Sequence, residues 1–241
     1  MNSHSHYADW KGWRDRPFGE CPDDEALYFR AEVARPLGKA QARILEIGFG
    51  NGGFLAWARS AGYECAGVEE SPELVDKARR AGFQAFASVN ELREKLGNPA
   101  FDAVVAFDVF EHIPLDRLES LFRDVRNLLP VGGLFVARFP NGDSPYGRAY
   151  QHGDPTHVTT LGQGIIVYLA KRSGFTVDRF KEPALPVLGV GPSRMVRRLM
   201  VRGLRAIHQL VIRYLWFSGE PVLLTANTVA WLRAEGGRHR R

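Results

Sequence analysis

Residues 44–53 read ILEIGFGNGG, an apolar run broken by Glu46 and followed by four glycines within six positions. A run of Ile and Leu suits a strand buried on both faces. Glycines directly after it let the backbone turn tightly and a ligand approach without meeting a Cβ atom. The helix start that follows, in GGFLAWARSAG, offers free N–H groups. Strand, glycine turn and helix in this order form the opening unit of an α/β sheet that binds ligands beyond its strand ends.

The alternation continues outward from this unit. A helix is expected over Asp23–Leu37, behind an aromatic arm with Trp10, Trp13 and Phe18. After the glycine loop come strand YECAGVE and helix SPELVDKARRAG, with Ser71 as cap and Pro72 at the first helical position. Strand FQAFAS, a short helix through Leu96, strand FDAVVAFDV and helix LDRLESLFRDVRNLL follow. Strand LFVARFP leads through a polar loop to helix LGQGIIVYLAKRSG and strand FTVDRF; a long basic helix then precedes PVLLTANTVAWLRA, the last strand. This order predicts an α/β fold: a doubly wound, mostly parallel seven-stranded sheet with an antiparallel last strand. One domain is expected, in four segments: a capping arm and helix (1–39), a ligand-binding core (40–182), a basic amphipathic insertion (183–219), and a closing strand with a basic tail (220–241).

Composition narrows the class. The chain has 241 residues with an apolar share of 45%, enough for one large core. Cys21 and Cys65 have no metal spacing and form no disulfide framework, which fits a reducing cytosol. The first residues lack a signal pattern, and no stretch reaches the length of a membrane span. A cytoplasmic protein is expected. The net charge of +5 is unevenly placed: no acid lies between Glu182 and Glu220, where Arg194, Arg197, Arg198, Arg202, Arg205 and Arg213 crowd together.

By spacing alone the glycine loop is ambiguous. Gly48, Gly50 and Gly53 satisfy G-x-G-x-x-G, whereas Gly48, Gly50 and Gly52 satisfy G-x-G-x-G. Glu69, with Glu70 beside it, ends the second strand and suits a ribose under either reading. Glu46 breaks the tie. A carboxylate is a poor neighbour for a pyrophosphate and a good one for an ammonium or sulfonium group in a desolvated crevice. S-adenosylmethionine carries both cations and no phosphate.

The stretches ILEIGFGNGGFL, GVEESPELVDKAR, FDAVVAFDVFEHIP and LLPVGGLFVARFPN, in this order, resemble the class I S-adenosylmethionine-dependent methyltransferases over about residues 40–182. The resemblance implies a Rossmann-like methyltransferase fold, with S-adenosylmethionine as cofactor and S-adenosylhomocysteine as product. It implies that Glu46, Gly48, Phe49, Gly50 and Gly52 line the methionine half, and that Glu69 holds the ribose. It further implies that Asp108 and Val109 face cofactor and acceptor. The acid that usually touches adenine is not evident; FASVNEL offers Ser88, Val89 and Asn90 in its place.

The acceptor side must align a nucleophile and, for a hydroxyl, remove a proton. The candidates are His112 in FEHIP, and His152, Asp154 and His157 in QHGDPTHVT, with His157 ranked first. The bland readings stand beside these: a turn shaped by EHIP, and a structural histidine after a capping aspartate. His4 and His6 belong to a tail, and no metal is expected. Amino-directed nucleic-acid enzymes of this fold carry an Asn/Asp-Pro-Pro-aromatic sequence where this chain has DVFEHIP, and cytosine-carbon enzymes need a cysteine there. Nucleic acid is therefore not the expected partner.

In the basic helix, Val196, Leu199, Met200, Leu204, Ile207, Leu210, Val211 and Leu215 form an apolar stripe. Two readings stand: contact of residues 193–217 with an anionic membrane at its inner face, or packing on the protein's own sheet. The tail pattern is similar to methyltransferases found with bacterial cell-surface polysaccharide synthesis. The expected function is O-methylation of a sugar hydroxyl in a lipid-linked glycan. A quinone-pathway or other small-molecule O-methyltransferase is the alternative, and a non-catalytic methyltransferase-like scaffold the alternative of another class.

Overall fold

The computed structural model describes residues 12–13 and 17–236. His4, His6, Trp10 and residues 237–241 of the basic tail lie outside them. The seven strands are β1 (Arg43–Ile47), β2 (Glu64–Val68), β3 (Gln84–Phe86), β4 (Ala103–Phe107), β5 (Leu134–Pro140), β6 (Phe175–Lys181) and β7 (Asn227–Ala234). They form one sheet of order β3-β2-β1-β4-β5-β7-β6. β1 to β5 pair in parallel, and β7 runs antiparallel to both β5 and β6. The doubly wound sheet expected from the sequence is the sheet observed.

Strand alternation sends neighbouring side chains to opposite faces. Leu45, Val104, Phe135 and Leu232 pack under helices α4 (Val89–Leu96), α5 (Leu115–Leu128) and α7 (Gln163–Ser173). Ile44, Val105, Val136 and Val229 pack under α1 (Asp23–Phe29) and α2 (Gly53–Ser60), where Phe29, Phe54 and Phe107 meet in edge and tilted contacts. A third cluster holds α3 (Pro72–Arg80) through Leu74 and Val75, against Phe49 and Phe83.

Three local features differ from expectation. The first helix passes at Arg30–Ala34 into a π turn before its last turn, Arg35–Leu37. Glu32 within this turn is fully buried and accepts from Lys181 Nζ at 2.7 Å and from the Ala184 N–H at 2.5 Å. One π turn among α turns re-aims a side chain, and here it delivers a carboxylate to β6. Residues 221–226 are not strand. Asn141 Nδ2 donates to the Leu223 and Thr225 carbonyls and Ser144 Oγ to that of Leu224, so side chains take the acceptors a ladder would have used. Ser71 sits at the N-cap position of α3 without capping through its hydroxyl; its N–H donates to Glu69 Oε1 at 3.1 Å.

The basic helix, α8 (Pro192–Trp216), is held by its polar side. Arg198 is buried, donating to Asp24 Oδ2 at 2.8 Å and to the Pro186 carbonyl at 2.6 Å. Arg194 reaches the same Asp24 oxygen at 3.2 Å. Its apolar stripe faces solvent, which overturns the reading that places this stripe on the sheet.

Candidate active site

Strand order reverses between β1 and β4, and ligands of open α/β sheets bind in the crevice at such a point. The loop after β1 and the turn after β4 meet there. Gly48 has φ +69 and Gly52 φ +76, left-handed values that side chains rarely adopt. A Cβ on Gly48 would stand 2.5 Å from Val109 Cγ2, and one on Gly52 2.2 Å from Phe18 Cζ. The space above the loop is thus shared with this chain's own side chains. The indole of Trp13 lies over Gly50 in the same way.

Glu46, in β1 two residues before Gly48, is only 4% exposed. Burial pushes its carboxyl well above the usual carboxylate range, and the charge of Glu69 pushes it further; a bond to the Leu55 N–H opposes them. Its Oε2 is buried and meets no hydrogen-bond partner. Such an orphan is costly unless a donor or a cation arrives. Glu69 accepts from the Gly50 N–H and the Ser71 N–H, both at 3.1 Å, and its carboxyl is also raised, by burial first.

The remaining cofactor candidates separate. Val109 touches Gly48, and Asp108 lines the adjoining cavity while Arg138 of β5 pairs with its carboxylate, Nε to Oδ1 at 2.8 Å. Asp108 has φ +56, a strained value for a residue with a side chain. Phe49 is buried in a cluster with Leu55, Leu74 and Phe83. Glu70 is exposed. Ser88 Oγ caps α4 by accepting from the Glu91 N–H at 3.1 Å.

A half-open cavity of about 380 Å³ adjoins the loop; Asp108, Glu111, His112, Asp154, His157 and Asn227 supply its polar lining. Two stretches far apart in sequence build it. The 3-10 turn Phe110–His112 follows β4, and residues 154–159 zip onto it. The Glu111 carbonyl accepts from the Val158 and Thr159 N–H groups, and Thr159 Oγ1 donates to the Ile113 carbonyl at 2.7 Å. All three catalytic candidates, His112, Asp154 and His157, therefore meet; His152 is exposed at the end of α6 (Arg148–His152).

Within this cluster the bonds assign roles. Thr156 Oγ1 donates to Asp154 Oδ1 at 2.6 Å, so toward His112 Nδ1, 2.9 Å away, it can only accept. Toward Thr156, His112 Nδ1 is then the donor. His157 is differently engaged. Its Nδ1 lies 3.2 Å from the Gln151 carbonyl, and its Nε2 lies 3.6 Å from Asp154 and 3.9 Å from Glu111. The two imidazoles meet edge to face at 4.6 Å.

Sequence reasoning passed over Thr156 and Glu111. The signal for the first was Asp-Pro-Thr, an Asx-turn pattern that brings a hydroxyl back to the aspartate. Glu111 was hidden in FEHIP beside the more conspicuous histidine. No metal was expected, yet Glu111, His112 and His157 each offer a ligand atom within 4.8 Å of the others, an arrangement open to a cation.

A family model described as methyltransferase domain matches residues 23–179. The chain is 30% identical over 111 residues to a ubiquinone biosynthesis O-methyltransferase of Xanthomonas oryzae pv. oryzae, covering 44% of this chain and 46% of the relative. It thus spans about half the length of the curated relatives it matches. Among solved structures, a SAM-dependent methyltransferase from Archaeoglobus fulgidus superposes with a TM-score of 0.63 at 18% identity, covering 95% of this chain and 99% of the other. The mycolic acid cyclopropane synthase CmaA1, solved with SAH and CTAB, superposes with a TM-score of 0.53 at 13% identity over 86% of this chain and 82% of its own. At such identities these two speak for the fold.

Proposed function

The chain belongs to the methyltransferase domain family, and from that premise we propose that it moves the methyl group of S-adenosylmethionine to a hydroxyl oxygen of a small polar acceptor. The observation that carries the reading is the line Asp154–Thr156–His112 along the acceptor cavity.

The crevice suits the cofactor in two respects. An orphaned, buried carboxyl oxygen at Glu46 suits a cation, and Glu69, which accepts from the Gly50 N–H of the loop, is the carboxylate we assign to the ribose. When bound, S-adenosylmethionine supplies a methyl group already activated on a sulfonium. The chain's own residues then align the acceptor and handle one proton. Asp154 orients Thr156, Thr156 fixes the tautomer of His112, and His112 Nε2 takes the proton that the acceptor hydroxyl gives up as its oxygen becomes a nucleophile. His157, held by the Gln151 carbonyl beside Asp154 and Glu111, braces that ring. General-base help of this kind contributes about 10²–10⁴-fold.

A sugar hydroxyl, carried on a lipid, is the acceptor we favour. Asp108, Glu111, Asp154 and Asn227 give the cavity many acceptors for a polyhydroxylated ring. The second reading is a phenolic hydroxyl of a quinone precursor, supported by the name of the Xanthomonas relative.

Labelled S-adenosylmethionine, offered with glycolipid fractions and with prenylated phenols, tests both. His112→Ala and Thr156→Val should lower kcat at least tenfold with KM for the cofactor unchanged, and Thr156→Ser should restore most of it. Turnover that survives in His112→Ala overturns the base assignment. Loss of turnover on chelation would replace the base by a cation at Glu111, His112 and His157. If S-adenosylhomocysteine binds while no fraction is ever labelled, the scaffold alternative stands instead.

A further inference from the structure

The outward face of α8 is apolar where a water-facing helix should be polar. At one residue per 100° of turn, Val196, Met200, Ile207, Val211 and Tyr214 fall on one side and Arg198 on the opposite one. Arg198 is the buried side chain of this helix, and it anchors the helix to Asp24. Met200 is 63% exposed, Leu204 64%, Ile207 63% and Leu215 70%. The amphipathic helix is therefore inverted, with an arginine toward the protein and a stripe of large apolar side chains toward solvent. Apolar surface continuous over a helix of 25 residues, about 37 Å long at 1.5 Å per residue, marks a contact surface.

We propose that this face seats the protein on an anionic lipid bilayer, with α8 lying in the plane of the interface. Charge selects the occupant. Arg197 is exposed beside the stripe, Arg202 and Arg205 are exposed toward the side of Arg198, and residues 183–219 contain no acid. A stripe-to-stripe pair of copies would offer no acid from residues 183–219 to these arginines, whereas anionic headgroups complement them. The helix ends in exposed Tyr214, Trp216 and Phe217, side chains suited to the boundary between headgroups and acyl chains. No described helix is long and apolar enough to cross a membrane, so α8 lies on the surface and does not span it. The mode is also tied to the cavity: His208 on α8 lies 3.2 Å from the hydroxyl of Tyr146, in the 3-10 turn that leads into α6, whose Ala149 and Tyr150 line the cavity. Seating α8 brings that cavity to the lipid surface.

The lipid contact goes beyond methyl transfer and is read without turnover. Co-sedimentation of the full chain is compared on vesicles of phosphatidylcholine alone and of phosphatidylcholine mixed with phosphatidylglycerol. Binding is expected to the mixed vesicles and to weaken with salt. Arg197→Ala/Arg202→Ala should weaken it at least about fivefold, the share of Arg197 beside the stripe. Leu204→Glu/Ile207→Glu should abolish it. Both pairs are exposed, and unchanged binding of S-adenosylhomocysteine certifies their fold. Equal sedimentation of the wild-type chain and Leu204→Glu/Ile207→Glu overturns the proposal. So does a dimer that forms with rising protein concentration, is lost in that variant, and leaves vesicles unbound.

Discussion

Glu46 and Gly48 sit two residues apart and make opposite demands on the chain. Gly48 holds a left-handed turn with Val109 pressed against the place of its missing side chain, a local requirement of backbone and packing. Glu46 is a carboxylate kept where its charge is disfavoured, and in the absence of a cation it destabilises the fold. A raised folded-state value means the stabilising protonated form is fully present below the unfolded value and is lost as pH rises through the folded one. Glu46→Gln should therefore leave the free protein unchanged in acid and raise its Tm at neutral and alkaline pH. The same substitution should weaken S-adenosylmethionine roughly 10–100-fold, the range of one hydrogen bond to a charged group. Calorimetry in buffers of different ionisation enthalpy should show a proton released on binding by the wild-type chain and none by Glu46→Gln. A loss of stability in alkali with affinity unchanged would contradict the role given to Glu46.

At the scale of elements, periodicity located each strand and most helices, because burial on a sheet face leaves a repeating apolar trace. α6 and the 3-10 turns were missed, since elements of three to five residues complete too little of a period to be seen. The orientation of α8 was equally hidden. Its stripe was plain in sequence, but which side faces the body depends on Asp24, more than 160 residues upstream. Arg198→Ala should cost about 2 kcal/mol by removing bonds to a carboxylate and a buried carbonyl. Urea unfolding would measure the loss. Hydrogen exchange should locate it as faster exchange over the first half of α8 with β1 to β5 unaffected.

For the whole molecule, the crevice is shared among β1, β2, β4 and the arm that carries Trp13 and Phe18. A ligand held by all of them stabilises the sheet by mass action. S-adenosylhomocysteine at 100 times its Kd should add about 2.7 kcal/mol. For a chain of this size that is roughly 5–10 °C in Tm. Trp13 lies on the loop at Gly50, so its emission should change on binding, and Trp13→Phe should remove that change. A Tm unmoved by saturating ligand would show that these elements do not close on it together.

The order of the elements, the parallel sheet, the glycine loop and the sign of the charge beside it were all determined by the sequence, because each is written in neighbouring residues or a regular period. Tertiary structure decided what depends on side chains distant in the chain. It set Val109, Trp13 and Phe18 against the glycines, and gave Phe49 to the core and Ser88 to a helix cap. It also set His112 against Thr156 and, through it, Asp154. An imidazole is placed by a hydrogen bond across 44 residues, and a helix face by an ion pair across 174, and no local pattern carries either.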